Sequence, residues 1–170
     1  MNGEYIVTTT RKAKAAFGGK CSKFAGAVTV EILKAALAKE SIPTSSRDVF
    51  VRGIPVEVDL LVPRQGEKPA LGLLYEPRQV AAALEIKNSG SFGRGTLEKI
   101  RRDFGLFREA GVCCAYVTLE ERRSYRWAAS AERLGYPCFT LAWHKVTGGP
   151  IETTEDWAAL VEFLRRCLVA

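Results

Sequence analysis

Histidine is almost missing from this chain, with His144 the only one in 170 residues. Chemistry that needs paired histidine ligands, or a Ser-His-Asp or Cys-His set, would rest on that one side chain and is set aside. The five cysteines lack the two-residue spacing of a zinc knuckle, and the neighbours Cys113 and Cys114 point to opposite faces of a strand. Cys21, Cys113, Cys114, Cys138 and Cys167 therefore read as reduced thiols that fill space. No apolar run reaches the roughly 18 to 20 residues of a membrane helix. Glu31, Lys34 and Lys39 interrupt the longest stretch. The first dozen residues carry no basic-then-apolar signal pattern, so a cytoplasmic protein with no membrane contact is expected.

What is present is a composition able to fold. Hydrophobic residues make up 47% of the chain, enough to bury a core, and one globular domain over residues 1–170 is expected. Lys and Arg number 25 against 19 Asp and Glu, a net charge of +6 that favours a polyanionic partner. Part of that surplus sits at the start, where Arg11, Lys12, Lys14, Lys20 and Lys23 face only Glu4. Residues 1–22 read as a basic, loosely structured arm.

The rest divides into elements. Residues 23–40 are rich in Ala and Leu and free of proline, with Pro43 beyond them, which predicts a helix. Strands are expected at 49–52 and 56–62, joined by Gly53-Ile54-Pro55, with 71–75 able to extend the sheet and 80–87 as the third strand. After a Gly-rich loop, Leu97, Ile100, Phe104 and Phe107 mark one face of a helix over 96–110 that Gly111 ends. Residues 112–119 read as a buried strand, 120–134 as a helix, 137–143 as a strand and 155–168 as a last helix. This order predicts an α/β fold with a mixed central sheet flanked by helices.

The chemistry-bearing pattern lies in two of these strands. Alternation along VEVDLLV puts Glu57, Asp59 and Leu61 on one face. Alternation along VAAALEIK puts Ala81, Ala83, Glu85 and Lys87 on one face. If the strands pair, one sheet surface carries Asp59, Glu85 and Lys87. The tripeptide Glu85-Ile86-Lys87 is no rarer than chance in a chain of this composition, but Asp59 is one of only four aspartates and sits inside an apolar strand. An antiparallel sheet with one solvated face also explains alternate charges. Ala81 and Ala83 argue instead that the face is covered.

In these residues the chain resembles the PD-(D/E)XK nuclease superfamily, the restriction-endonuclease-like fold. The resemblance spans roughly residues 23–119 and implies an αβββαβ core, with further α-β-α elements at the C-terminus. It implies Asp59 as the aspartate, Glu85 as the second acid and Lys87 as the lysine. Glu31, on the first helix, is the candidate for the additional acid found in many members. Val58 stands where the family has proline, and the Gln-containing motif of the exonuclease branch has no counterpart in TLEKIRRDF.

The implied activity is metal-dependent hydrolysis of DNA phosphodiester bonds. In-line attack by water requires a cation that neutralises developing charge and acidifies the water. Hard oxygen donors suit Mg²⁺, with Mn²⁺ as a substitute. The implied ligands are Asp59, Glu85, the backbone carbonyl of Ile86 and Glu31, with Glu57 as an alternative. Lys87 would orient the water and stabilise the transition state. Arg94, Lys99, Arg101 and Arg108 are the candidate phosphate contacts, each also readable as an ordinary solvated surface cation. Specificity is expected to come from DNA structure, a homodimer or a partner subunit. Two other readings stay open: a catalytically silent nucleic-acid-binding or assembly module on the same fold, and an unrelated α/β protein whose charged face binds nothing.

Overall fold

A computed structural model describes residues 3–19, 21–89, 92 and 95–170. Its centre is a mixed seven-stranded sheet built from β1 (Arg47–Val51), β2 (Ile54–Pro63), β3 (Leu74–Tyr75), β4 (Val80–Lys87), β5 (Cys113–Arg122), β6 (Cys138–His144) and β7 (Ile151–Thr153). The strand order is β3-β1-β2-β4-β5-β6-β7. Pairs β1–β2, β2–β4 and β6–β7 are antiparallel, while β1–β3, β4–β5 and β5–β6 are parallel. The described α-helices are α1 (Gly3–Ala16), α2 (Ser22–Lys39), α3 (Thr96–Glu109), α4 (Tyr125–Leu134) and α5 (Asp156–Val169). This is the mixed α/β architecture expected from the element order, and no described helix is long and apolar enough to cross a membrane.

Two apolar clusters cover the two faces of the sheet. Leu60, Val62, Ala82, Leu84, Ile86, Ala115, Val117 and Leu119 pack with Ile6 of α1, Leu33 and Leu37 of α2, and Leu160 and Leu164 of α5. On the other face Leu61, Ala83, Cys114 and Tyr116 pack with Leu97, Ile100, Phe104 and Phe107 of α3 and with Trp127 and Leu134 of α4. Alternation holds along β4 from Ala82 onward. It breaks at the strand's start, where the register slips between Val62↔Ala82 and Pro63↔Val80, and Ala81 joins the first cluster while Val80 joins the second. Val58 likewise packs with Leu61 rather than Leu60; β2 pairs with β4 only from Leu60 to Pro63, and its first half lies against α3.

Three sequence expectations are corrected. The loosely structured arm at residues 1–22 is in fact largely the helix α1. Ile6, Val7 and Thr10 form a buried stripe, and a Cβ on Gly3 would lie 2.9 Å from the carbonyl oxygen of Leu141, so the helix start presses directly on β6. Arg11 anchors the same helix, donating through Nε to Glu120 at 3.0 Å and through Nη1 to the Gly149 carbonyl at 2.6 Å. Counting charge alone hid these few apolar anchors. Second, the helix expected from Glu120 starts later, because β5 continues in register with β6 through Arg122↔His144 and Ser124 caps α4 by accepting from the Trp127 N–H at 3.2 Å. Third, Ile151–Thr153 adds an edge strand that its short length concealed.

Candidate active site

The site is built where the β2–β4 ladder ends. The last cross-strand pair toward this end is Leu60↔Leu84, and the next residues along the two strands are Asp59 and Glu85. Asp59 then substitutes its side chain for a backbone partner: Oδ2 accepts the Ile86 N–H at 2.7 Å. This bond fixes the carboxylate against β4. The Lys87 ammonium lies 2.5 Å from Glu85 Oε1 and 3.5 Å from Asp59 Oδ2, so one cation bridges both acids. All three side chains are only partly exposed. Period-2 alternation therefore brought together the three residues it was expected to.

The electrostatics follow from two acids sharing one lysine. Burial raises the pKa of the Glu85 carboxyl, the neighbouring Asp59 raises it further, and Lys87 and Lys99 oppose the rise. Burial alone would lower the Lys87 ammonium, but Glu85 and Asp59 outweigh it, and its pKa is raised. Tyr116, paired in register with Glu85, has its phenol pushed up by burial and then by the carboxylate, so it stays protonated. Negative charge at the strand ends thus exceeds what Lys87 supplies.

The acids face a cleft of about 330 Å³ whose walls include Pro55, Glu57, Asp59 and Glu85 from the sheet and Lys99, Arg102 and Asp103 from α3. Glu57 is exposed at its rim. A larger opening of about 470 Å³ between α3 and α4, walled by Phe92, Tyr125, Arg126 and Arg133, holds none of the three site residues.

The other expected residues divide. Lys99 lines the cleft, as does Arg102, which is not among the four cations expected to meet phosphate. Arg101 is exposed and is not part of the cleft wall, and Arg108 lies over the Tyr136 ring at 5.7 Å. Arg94 lies outside the described residues. Glu31 is not brought to Asp59 and Glu85. Its side chain is 54% exposed, pairs with Lys34 at 3.1 Å, and belongs to the helix that packs on the opposite face of the sheet. Asp103 was missed. The signal was an acid within the Leu97, Ile100, Phe104, Phe107 stripe of α3.

Among the described residues, no group of three or more His, Cys, Asp or Glu side chains is arranged to hold a metal ion. The donors at the strand ends are two carboxylates beside the backbone of Ile86. That set is the hard-oxygen kind, and it suits an ion that retains several of its waters.

No protein-family model matches the chain, and no curated protein matches it. Solved structures do. The cAAA-bound form of NucC from E. coli MS115-1 superposes with a TM-score of 0.69 at 12% identity, covering 97% of this chain and 87% of that one. The cAAA-bound form of NucC from P. aeruginosa ATCC27853 gives 0.65 at 10% identity, covering 97% and 90%. The chain shares the fold of these two proteins.

Proposed function

We propose that this chain is a metal-dependent endonuclease that hydrolyses DNA phosphodiester bonds at Asp59, Glu85 and Lys87. One observation carries the reading: a lysine ammonium held between two part-buried carboxylates where β2 and β4 part, the two acids facing a cleft with further cations. The shared fold with NucC and the net charge of +6 support it.

Asp59 and Glu85, with the Ile86 carbonyl, would hold Mg²⁺ or Mn²⁺. Bound there, the ion would supply charge neutralisation at the phosphate and a more acidic water. The chain's own groups do the rest. The Ile86 N–H keeps the Asp59 carboxylate in place. Lys87 presents an ammonium that stays protonated and can orient the attacking water and meet charge developing on the phosphoryl oxygens. Lys99 and Arg102 would take neighbouring phosphates, and a second copy of the chain or a partner subunit would set specificity. Defence, repair and recombination all fit such an activity.

The test is cleavage of branched, single-stranded and duplex oligonucleotides with Mg²⁺, Mn²⁺ or EDTA. Metal-dependent cutting lost in Lys87→Ala supports the reading. DNA binding without cutting on any substrate points instead to a silent binding module on the same fold.

A further inference from the structure

Asp103 is an anomaly in α3. It sits among Leu97, Ile100, Phe104 and Phe107, and its side chain is only 8% exposed. An unpaired carboxylate at such a position is costly, and an apolar residue would be the simple filler. Both carboxylate oxygens are instead taken by cations of the same helix. Lys99 Nζ donates to Oδ2 at 2.7 Å, and Arg102 donates to Oδ1 through Nε at 3.2 Å and Nη2 at 3.1 Å.

The two cations are otherwise free to move, being 63% and 70% exposed. Long flexible side chains that must be ordered on binding forfeit affinity, and prior ordering recovers it. Here a buried acid does the ordering. Lys99 and Arg102 both line the cleft that holds Asp59 and Glu85. One acid against two cations leaves a positive charge, and both cations keep unused N–H donors for phosphate oxygens. Lys99 is also close enough for its field to act on Glu85.

We infer that Asp103 is a positioning residue, which clamps Lys99 and Arg102 into a paired phosphate-binding jaw across the cleft from Asp59 and Glu85. The inference rests on the nuclease reading and names the part of the substrate that this wall grips: a backbone phosphate beside the one cut.

Asp103→Asn gives a test whose sign is informative. The substitution makes the protein more basic, so bulk electrostatics alone predicts DNA binding that is equal or tighter. The clamp predicts the reverse. Binding of a short fluorescein-labelled duplex, followed by anisotropy in EDTA, should weaken about fivefold. The slope of log affinity against log salt should fall by about one contact. KM for cleavage should rise while kcat changes little. Lys99→Gln, an exposed change that leaves the core intact, should weaken binding similarly, and the double variant should add little to either single one. If Asp103→Asn does not fold, Lys99→Gln decides: a loss supports the jaw, and unchanged binding overturns it. Equal or tighter binding by a folded Asp103→Asn overturns the inference while leaving the nuclease reading standing. Weakened binding with no cutting by any variant keeps the jaw and removes the nuclease reading, and failure of the native protein to bind DNA removes both.

Discussion

On the face of the sheet beneath α1, α2 and α5, the strand positions Leu60, Leu84, Ala115, Val117, Leu119 and Leu141 are apolar and closed to solvent. On the face beneath α3 and α4 the apolar run begins the same way, with Leu61, Ala83, Cys114 and Tyr116, and then stops. The next residues on that face are Asp59 and Glu85, and the helix above contributes Asp103 with two cations. One face spends its whole surface on packing. The other packs at its centre and opens at the strand ends, where β2 and β4 part. Two acids on one sheet are tolerable there because Lys87 and partial solvent access reduce the cost that full burial would impose.

Substitutions on the two faces should therefore fail in different ways. Asp59→Ala or Lys87→Ala is expected to lower the cleavage rate by about 10²–10³-fold, or about 3–4 kcal/mol of barrier, with a thermal midpoint close to native. Cleavage kinetics and circular dichroism on one preparation check both halves. Ile6→Ala on the closed face is expected to cost about 2–4 kcal/mol of stability by urea titration, with site chemistry unchanged in the folded fraction. An arm that packs on nothing would show no such loss, so this variant also tests whether α1 is part of the core.

A subtler expectation concerns the centre of the open face. Burial pushes the thiols of Cys114 and Cys138 up to about 12, as it does Cys167 on the closed face. Thiolate is the reactive form, so labelling by a disulfide reagent at pH 8 should be slow for all three in the native protein, quicken only toward pH 12, and become rapid in denaturant. Fast labelling of Cys114 would mean that this face is open beyond its strand ends. The smallest effect is expected at Glu31, whose exposed pair with Lys34 is worth less than about 1 kcal/mol. Glu31→Gln should leave both the melting temperature and the metal dependence of cleavage near native, and a changed metal response would return Glu31 to the site.

Much of this was legible because strand alternation is strict wherever both neighbours are paired. Glu85 and Lys87 lie past the bulge in β4, where period 2 holds, and so their common face could be read directly; Asp59, on β2, meets them through Lys87 and the Ile86 N–H although alternation fails at its neighbour Val58. Ala81 and Val80 lie before that bulge, and the same rule misplaced them. Helix faces were less legible. The helix α2 is apolar around much of its circumference, so its pattern does not mark which side meets the sheet, and Glu31 falls on the exposed side. In α3 the stripe is narrow, and an acid inside it was a usable sign that passed unread. The loose reading of residues 1–22 weighted four cations over Ile6 and Val7. The boundary at Ser124 depended on pairing with β6, a contact that no local pattern reports.

The most direct test of the open strand ends as an active centre is nicking of supercoiled plasmid by the native protein and by Asp59→Asn, purified in parallel, with Mg²⁺ and with EDTA. The expected result is Mg²⁺-dependent nicking by the native protein that EDTA stops and that Asp59→Asn, folded and equally stable, does not perform. Nicking that persists in Asp59→Asn, or that survives EDTA, would contradict the assignment.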